Sequence, residues 1–376
     1  MNRRQFLKTS VLAGTGVLCA PMINRNRFAL FADTVDYSAR AIDLVAQSTV
    51  IDMLGLLTLD WPKLYAWQRR AGSFGQEEFL KLRKSGIQIF HPAVDPNHER
   101  PREAALKWTE DWNRFLVNYP GYFVRIDSAS DLQRARDEKK VGLLIGFQNS
   151  DHFDSVEDVA FFHGLGQRVS QLTYNDCNRI GAGCKETRDT GLTEYGAKIV
   201  QAMNRLGMAV DVSHCSERTT MDAIVISRKP VLVTHSNCRA LVPHPRCKSD
   251  AVIRKLAARG GVMGITVVPA FVRQDRPASI NDVLNHFDHV ARLVGVEHVG
   301  LGSDTDVDAI DPRTRQVRSR YAVRGLKHAR RIFDLTAGLI RRGYRDEQVK
   351  LILGGNFQRA LTEIWNLEPT PAVRPA

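Results

Sequence analysis

Residues 208–236 read MAVDVSHCSERTTMDAIVISRKPVLVTHS, and this stretch decides the fold class. Two short runs, MAVDVSH (208–214) and PVLVTHS (230–236), are apolar almost throughout, as strands buried on both faces of a parallel sheet are. A longer segment of helical length lies between them. The stretch therefore predicts a strand–helix–strand unit in which a histidine closes the first strand and stands next to the end of the second.

The same alternation extends over most of the chain. Six further apolar runs occur at residues 48–54, 86–92, 141–147, 168–174, 261–267 and 298–304. Amphipathic helical patterns lie at 195–207, 250–261 and 279–295. Eight strands that alternate with helices form either a closed barrel or an open doubly wound sheet. Because no GxGxxG follows the first strand, we predict an α/β fold, a (β/α)8 or TIM barrel, as a single domain over residues 40–366.

The first 32 residues differ in composition from the rest. The order NRRQFLK (2–8) matches a twin-arginine export signal, and the apolar stretch after it is too short and glycine-broken to span a membrane. We predict a removable signal peptide at residues 1–32 and export to the periplasm or the extracellular space, with an N-terminal anchor as the alternative. The mature chain then has no stable membrane span, and residues 367–376 form a flexible tail.

The charge of the chain does not indicate nucleic-acid binding. The net charge of +12 falls to +7 without the five basic residues of 1–32. The remaining Lys and Arg are interspersed with acids, so we expect no nucleic-acid partner and a mild attraction for anionic ligands. Whether the chain forms a homodimer stays open. Five cysteines at irregular spacing do not form a disulfide framework, and only a Cys177–Cys184 bridge is conceivable.

Polar side chains occupy four strand ends where a barrel of this type carries its catalytic groups. These are Tyr174, His214, His235 and Asp304. Two histidines on consecutive strands, with an aspartate on a later one, indicate a metal site. A thiolate from Cys215 or Cys238 is an alternative ligand, but neighbouring strand residues point to opposite faces. We interpret four other polar residues near strand ends as loop residues rather than ligands: His91, Asp95, Asp151 and His152.

Two further patterns have structural interpretations. Residues 354–356 (GGN) resemble a phosphate-binding turn, yet we predict only a turn that enters the last helix. Four tryptophans in helical segments could line a cleft, and we predict that they pack in the core instead: Trp61, Trp67, Trp108 and Trp112.

The order and spacing of several segments resemble the membrane (renal-type) dipeptidase family, peptidase family M19. The segments are VSH (212–214), THSN (234–237), HPR-x-x-x-D (244–250) and VGLGSD (299–304), and the resemblance extends from about residue 50 to 361. It implies an amidohydrolase-type (β/α)8 barrel that hydrolyses dipeptides with two zinc ions. It also implies that His214 and His235 hold the β metal, that Arg246 binds the substrate carboxylate, and that Asp304 contacts the α metal and handles a proton.

The chain departs from the family at the α metal. The family motif D-G-H-x-D reads DMLGL here, so Leu54 and Leu56 replace a histidine and an aspartate. Gln148 stands at the place of the bridging glutamate, and Tyr174 replaces a histidine that is proposed to stabilise the transition state. Leucine cannot bind zinc, and glutamine offers only an uncharged oxygen. We therefore expect a divergent subgroup with one zinc ion rather than two.

These residues lead to two functional hypotheses. In the first, the chain is an exported metal-dependent hydrolase of a dipeptide or a related small amide. His214, His235 and Asp304 then hold zinc, with Gln148 as a weaker ligand, while Arg246 binds substrate. Asp304 and Tyr174 act in catalysis, and Tyr174 also contacts substrate. In the second, the chain is a catalytically impaired relative that binds a peptide-like ligand or takes part in maturation of a metabolite in the periplasm.

Overall fold

The computed structural model describes residues 37–96, 99–307, 314 and 323–367. The predicted signal peptide at 1–32 and nearly all of the predicted tail lie outside these ranges. From Ala39 onward the described residues belong to one compact unit. No helix among the described residues has the length and apolar character needed to cross a membrane.

All eight predicted strand regions contain strands. Four of these regions contain two short strands or are directly followed by a second short strand: 48–54, 86–92, 141–147 and 298–304. The strands are β1 (Ile51–Asp52), β2 (Gly55–Leu56), β3 (Ile89–Phe90), β4 (Ala93–Val94), β5 (Phe123–Arg125), β6 (Val141–Leu143), β7 (Gly146–Phe147), β8 (Val169–Gln171), β9 (Ala209–Asp211), β10 (Leu232–Ser236), β11 (Val262–Ile265), β12 (Val299–Leu301) and β13 (Thr305–Asp306).

Parallel pairing closes these strands into a ring. From β7 the pairs run through β8, β9, β10, β11, β12 and β1 to β3. β3 and β4 are successive segments of one barrel strand, and β6 and β7 are successive segments of another. The ring closes because β3 pairs with β6 and β4 pairs with β7. The predicted α/β barrel is therefore confirmed, with β5 as an additional strand beside β6.

Helices follow the strands as the amphipathic patterns predict. The predicted helix at 195–207 ends at Gly207, whose φ of 73° is the left-handed conformation favoured by glycine. The Ser279/Asp282 capping box of the 279–295 helix is also present. The helices are α1 (Ala39–Gln47), α2 (Trp61–Arg69), α3 (Gln76–Lys84), α4 (Pro101–Asn118), α5 (Ala129–Asp137), α6 (Asp158–Gly164), α7 (Glu194–Leu206), α8 (Glu217–Ile226), α9 (Asp250–Ala257), α10 (Pro269–Val272), α11 (Ile280–Val294), α12 (Arg331–Arg341), α13 (Asp346–Lys350) and α14 (Asn356–Trp365).

The core lies inside the ring and between the ring and its helices. Buried aliphatic side chains of the barrel strands form one cluster with Phe357 of α14. The cluster includes Ile51, Ile89 and Leu232. Close backbone approach is needed beside β10, because a Cβ atom at Gly302 would overlap the carbonyl oxygen of Thr234. Since all the strands of the ring are parallel, their carboxyl ends meet at one mouth, where the predicted polar residues lie.

Candidate active site

Two imidazoles meet at the mouth of the barrel. His214 follows β9 and His235 lies within β10, the adjacent strand. Their Nε2 atoms are 3.0 Å apart, and both rings are buried. Two nitrogen ligands of one tetrahedral zinc ion lie about 3.3 Å apart, given Zn–N bonds of about 2.0–2.1 Å. The structure thus brings together the two histidines that the sequence predicts as ligands of one ion.

The other nitrogen of each imidazole is held by a hydrogen bond. His214 Nδ1 lies 3.0 Å from Asn175 Oδ1, and His235 Nδ1 lies 2.8 Å from Thr234 Oγ1. Thr234 Oγ1 donates its own hydrogen to Asp211 Oδ2, at 2.6 Å. Both acceptors therefore require a hydrogen on Nδ1, which fixes each neutral ring with its lone pair on Nε2.

Asp211 connects the two histidine-bearing strands. Its buried carboxylate accepts hydrogen bonds from the backbone N–H and the hydroxyl of Ser213, at 2.9 and 2.6 Å. It also accepts from the backbone N–H and the hydroxyl of Thr234, at 3.0 and 2.6 Å. Because Ser213 precedes His214 and Thr234 precedes His235, one carboxylate sets the position of both imidazoles.

This arrangement suits a positive charge between the histidines. With both Nδ1 atoms protonated, the Nε2 lone pairs face each other across 3.0 Å. Two facing lone pairs repel unless a shared proton or a cation lies between them. The donor chemistry of the pair therefore fits one divalent cation of the kind that imidazole binds.

A pocket of about 560 Å³ opens beside the pair. Its floor comes from strand ends and its walls from α2 and α4, and it includes Leu54, Leu56, Gln148, Tyr174 and Asp304. The histidines are not part of the lining, and His214 meets the pocket through Tyr174. The phenol of Tyr174 is stacked on the imidazole of His214, with ring centroids 4.2 Å apart and an interplanar angle of 19°.

Asp304 lines the pocket in an unusual backbone conformation. Its φ is 58°, a left-handed value that few residues other than glycine adopt, and its N–H donates to Leu54 O at 2.8 Å. Among the described residues, no three His, Cys, Asp or Glu side chains are grouped closely enough to hold a metal ion. The role of Asp304 as a metal ligand therefore stays a prediction.

The positions at which the family resemblance implies an α metal do not fit an ion. Leu54 and Leu56 are buried and apolar, and both line the pocket. The side-chain amide of Gln148 donates to Ala93 O at 3.0 Å. An apolar floor offers no ligand for a dication, so these positions do not fit a metal ion, and the expectation of one ion rather than two stays a prediction.

Arg246 lies beneath the histidines rather than in the pocket lining. It is only 2% exposed, and its terminal nitrogens donate to Ser213 O at 2.5 Å and to His235 O at 2.9 Å. In the part of the chain that the structure describes, its buried Nε has no hydrogen-bond partner. The carboxylate-binding role of Arg246 stays a prediction. The contacts that Arg246 makes in the structure join the two segments that carry the histidines.

The four residues interpreted as loop residues have structural partners. His91 is buried with Nδ1 2.7 Å from Leu144 O, and burial lowers its pKa. Asp95 lines the pocket and accepts from Asn149 at 3.0 Å. Asp151 faces Arg179 at 3.8 Å. His152 packs against Phe147, Phe153 and Phe162, and burial lowers its pKa to about 4.

The five cysteines after residue 32 are free in the structure, so the Cys177–Cys184 bridge is not formed. Burial raises the pKa of the Cys215 thiol to about 11, and its sulfur accepts a hydrogen bond from Thr173. The pKa of Cys238 is raised well above the ordinary value, also by burial. A buried protonated thiol is a poor metal ligand, so these contacts do not favour a thiolate site.

The other two sequence interpretations have different outcomes. Residues 351–355 form a π-helical turn into α14, and buried Asn356 donates to Val296 O and Val299 O, so the structural interpretation of the GGN motif is confirmed. Trp67 and Trp112 are buried as predicted. For Trp61 and Trp108 the packing interpretation is incomplete, because both also line the pocket.

Sequence reasoning missed the residues that support the histidines and those that form the pocket wall. A polar Asp211 within the apolar run 208–214 was a usable signal, since a buried carboxylate needs several donors. The wall had a signal too, because Trp61, Tyr65 and Arg69 recur every fourth residue and share a face of α2. Asn175 had none, as it lies in a loop after β8.

Comparisons with known proteins identify the family to which the chain is similar. A family model described as "Membrane dipeptidase (Peptidase family M19)" matches residues 38–371. The chain is similar to Dipeptidase aclJ of Aspergillus oryzae, at 30% identity over 308 residues, which cover 77% of this chain and 70% of that protein. It is also similar to an uncharacterized dipeptidase of Schizosaccharomyces pombe, at 31% identity over 329 residues, covering 81% and 76%. A crystal structure of an amidohydrolase from Pseudomonas aeruginosa superimposes with a TM-score of 0.72 at 27% identity, covering 86% of this chain and 99% of that one.

Proposed function

Because the chain belongs to the membrane dipeptidase family, peptidase family M19, we propose that it hydrolyses a dipeptide or a related small amide with one divalent cation, most simply zinc, on His214 and His235. The observation that carries this proposal is the pair of facing Nε2 atoms, 3.0 Å apart. Each ring is fixed by its own Nδ1 hydrogen bond, so the two lone pairs converge on one point.

The pocket residues supply the rest of the chemistry. When bound, a divalent cation at this pair polarises an amide carbonyl and lowers the pKa of a water molecule. Asp304, at the floor of the pocket, accepts a proton from the attacking water and returns it to the leaving amine. The phenol of Tyr174 donates a hydrogen bond to the oxygen that gains charge as the carbonyl is attacked.

Arg246 has a positioning role in this proposal. Its guanidinium holds the carbonyl groups of Ser213 and His235, one from each segment that carries a ligand. If Arg246 positions the histidines, its replacement by glutamine should weaken metal binding. If Arg246 instead bound the substrate carboxylate, the same replacement would raise KM at unchanged metal content. Measuring both quantities on the Arg246→Gln variant separates the two roles.

The test of the hydrolase is turnover of a dipeptide panel that includes D-residues at the C-terminal position. We expect low activity that disappears on treatment with a chelator, returns on addition of zinc, and is absent from His214→Ala. Phe161→Ala is a matched control, because Phe161 lies on α6 with 46% exposure and does not line the pocket. Full turnover by the metal-stripped protein would refute the proposal.

A second candidate is a non-catalytic relative that binds a peptide-like ligand or assists maturation of a metabolite. The apolar pair Leu54 and Leu56 favours it, since the ion that the family uses at this place cannot be held. This candidate predicts ligand binding that is unaffected by chelation, with no hydrolysis of any member of the panel.

We also propose that residues 1–32 direct export through the twin-arginine pathway. The support is the NRRQFLK order and the short apolar stretch that follows it. Replacing Arg3 and Arg4 with lysine should retain the precursor in the cytoplasm, while the unchanged chain is recovered shortened from the periplasm. Equal distribution of the two proteins would contradict export by this route.

A further inference from the structure

One side of the pocket is formed by two helices whose side chains repeat at helical spacing. On α2 these are Trp61, Tyr65 and Arg69, and on α4 they are Lys107 and Trp108. We call these five residues the helical wall. Arg69 lies over the ring of Tyr65 at 4.4 Å, so the guanidinium and the aromatic ring form one continuous surface.

The helical wall carries an excess of positive charge. Asp111, whose side chain is 4% exposed, is the acid of this cluster, and three cations surround it: Arg69 at 2.7 Å, Arg114 at 3.2 Å and Lys107 at 3.9 Å. One carboxylate cannot neutralise three cations. Lys107 is 62% exposed and Arg69 38% exposed, so the surplus charge is accessible from the pocket.

Of the three acids in the pocket lining, Asp111 lies on α4 among the cations and is largely buried, and the other two lie at strand ends. Asp304 follows β12 and Asp95 follows β4, both at strand ends, whereas the cations belong to the helices. The lining also has an apolar part that includes Leu54 and Leu56. A ligand with a negative group is therefore drawn toward the helical wall and away from the strand ends.

We propose that Arg69 and Lys107 form a subsite for a carboxylate group of the ligand, over the aromatic surface of Trp61, Tyr65 and Trp108. Substrates are then acidic, peptide-like amides. The identification of the ligand as a substrate rests on the proposed function, but the binding does not. Arg246 is 2% exposed and already donates to two backbone carbonyls, so the accessible cations of the helical wall take over anion recognition.

The carboxylate has two sources in a dipeptide, the C-terminus and an acidic side chain. Three reduced-amide analogues, in which CH2–NH replaces the scissile amide, distinguish them: Glu–Phe, Gln–Phe and Glu–Phe with an amidated C-terminus. Calorimetric titration of the full, metal-loaded protein measures their affinities. We expect a loss of about three- to tenfold when the recognised carboxylate is neutralised, and a smaller loss at high salt.

The variants test whether the preference belongs to the helical wall. The Arg69→Gln/Lys107→Gln double variant should lose the preference for the carboxylate. Lys107→Glu alone should reverse this preference, and because Lys107 is exposed its replacement leaves the fold intact. Arg114→Gln is the matched control, because Arg114 also contacts Asp111 but does not line the pocket. It should bind all three analogues as the wild-type chain does.

The result separates this subsite from the hydrolase proposal, because the analogues cannot be cleaved. A charge preference that is lost in the double variant supports the subsite, even if no dipeptide is turned over. Equal affinity for all three analogues, or the same preference in the double variant as in the wild type, overturns it even if dipeptides are hydrolysed.

Discussion

The phenol of Tyr174 is stacked on the imidazole of His214, with ring centroids 4.2 Å apart and planes 19° from parallel. Tyr174 belongs to the pocket lining and His214 does not, so this contact joins the pocket to the histidine pair. The resemblance to the family implies a histidine where Tyr174 stands. A stacked phenol keeps an aromatic surface and one hydrogen-bond donor at this position, although it cannot carry a positive charge.

The Tyr174→Phe variant isolates the hydroxyl, because the ring and its stacking remain. We expect kcat to fall by about 100-fold, the usual effect of removing one donor that stabilises a developing oxyanion. Metal content should stay unchanged. Steady-state kinetics alongside metal analysis make this comparison, and an unchanged kcat would exclude the phenol from catalysis.

The Thr234→Val variant removes the acceptor of His235 Nδ1 with little change in shape. It also removes one of the four hydrogen bonds to Asp211. We expect metal affinity to fall by about 10- to 100-fold, as changes behind a ligand histidine generally cause. Competition with a chromophoric chelator measures this. Thr336→Val is the control, because Thr336 is equally buried but bonds only within α12. Equal loss in both variants would point to general destabilisation.

Much of the barrel is predictable because buried parallel strands leave a direct pattern in the sequence. Runs such as 208–214 and 230–236 are apolar on both faces, and their order alone places His214 and His235 on adjacent strands of the barrel. The pair and its proximity follow from that order. Asn175 and Lys107 could not be placed, and the spacing of Trp61, Tyr65 and Arg69 gives a shared helix face but not its position at the pocket. Loop paths and the packing of α2 against α4 depend on tertiary contacts. The unusual φ of Asp304 has no sequence signal either.

Introducing the residues that the family resemblance implies at three positions should create a second metal site. The change is Leu54→His with Leu56→Asp and Gln148→Glu, which places polar groups in a buried apolar floor. Without metal, we expect a lower Tm, because the new groups lack partners. Zinc should raise the Tm and increase the bound metal from one to two ions per chain. Thermal unfolding with and without zinc tests this, and a Tm insensitive to zinc would count against a latent second position.

Stability should fall between pH 6.5 and pH 4 because of buried His152. Burial lowers the pKa of this imidazole from 6.5 to about 4. Below pH 6.5 the unfolded chain therefore takes up a proton that the folded protein excludes until about pH 4. The loss is about 3 kcal/mol of unfolding free energy across this range. Urea unfolding of His152→Gln should show a weaker pH dependence. The remainder comes from His163 and His286, whose pKa values burial also lowers to about 4. An identical slope in both proteins would contradict this assignment.

The most direct measurement is the number of zinc ions bound per chain after loading and exhaustive dialysis. One ion for the wild-type protein, and none for the His214→Ala/His235→Ala double variant, is the expected result. Two ions in the wild type, or an ion that survives removal of both histidines, would contradict a single cation held by this pair.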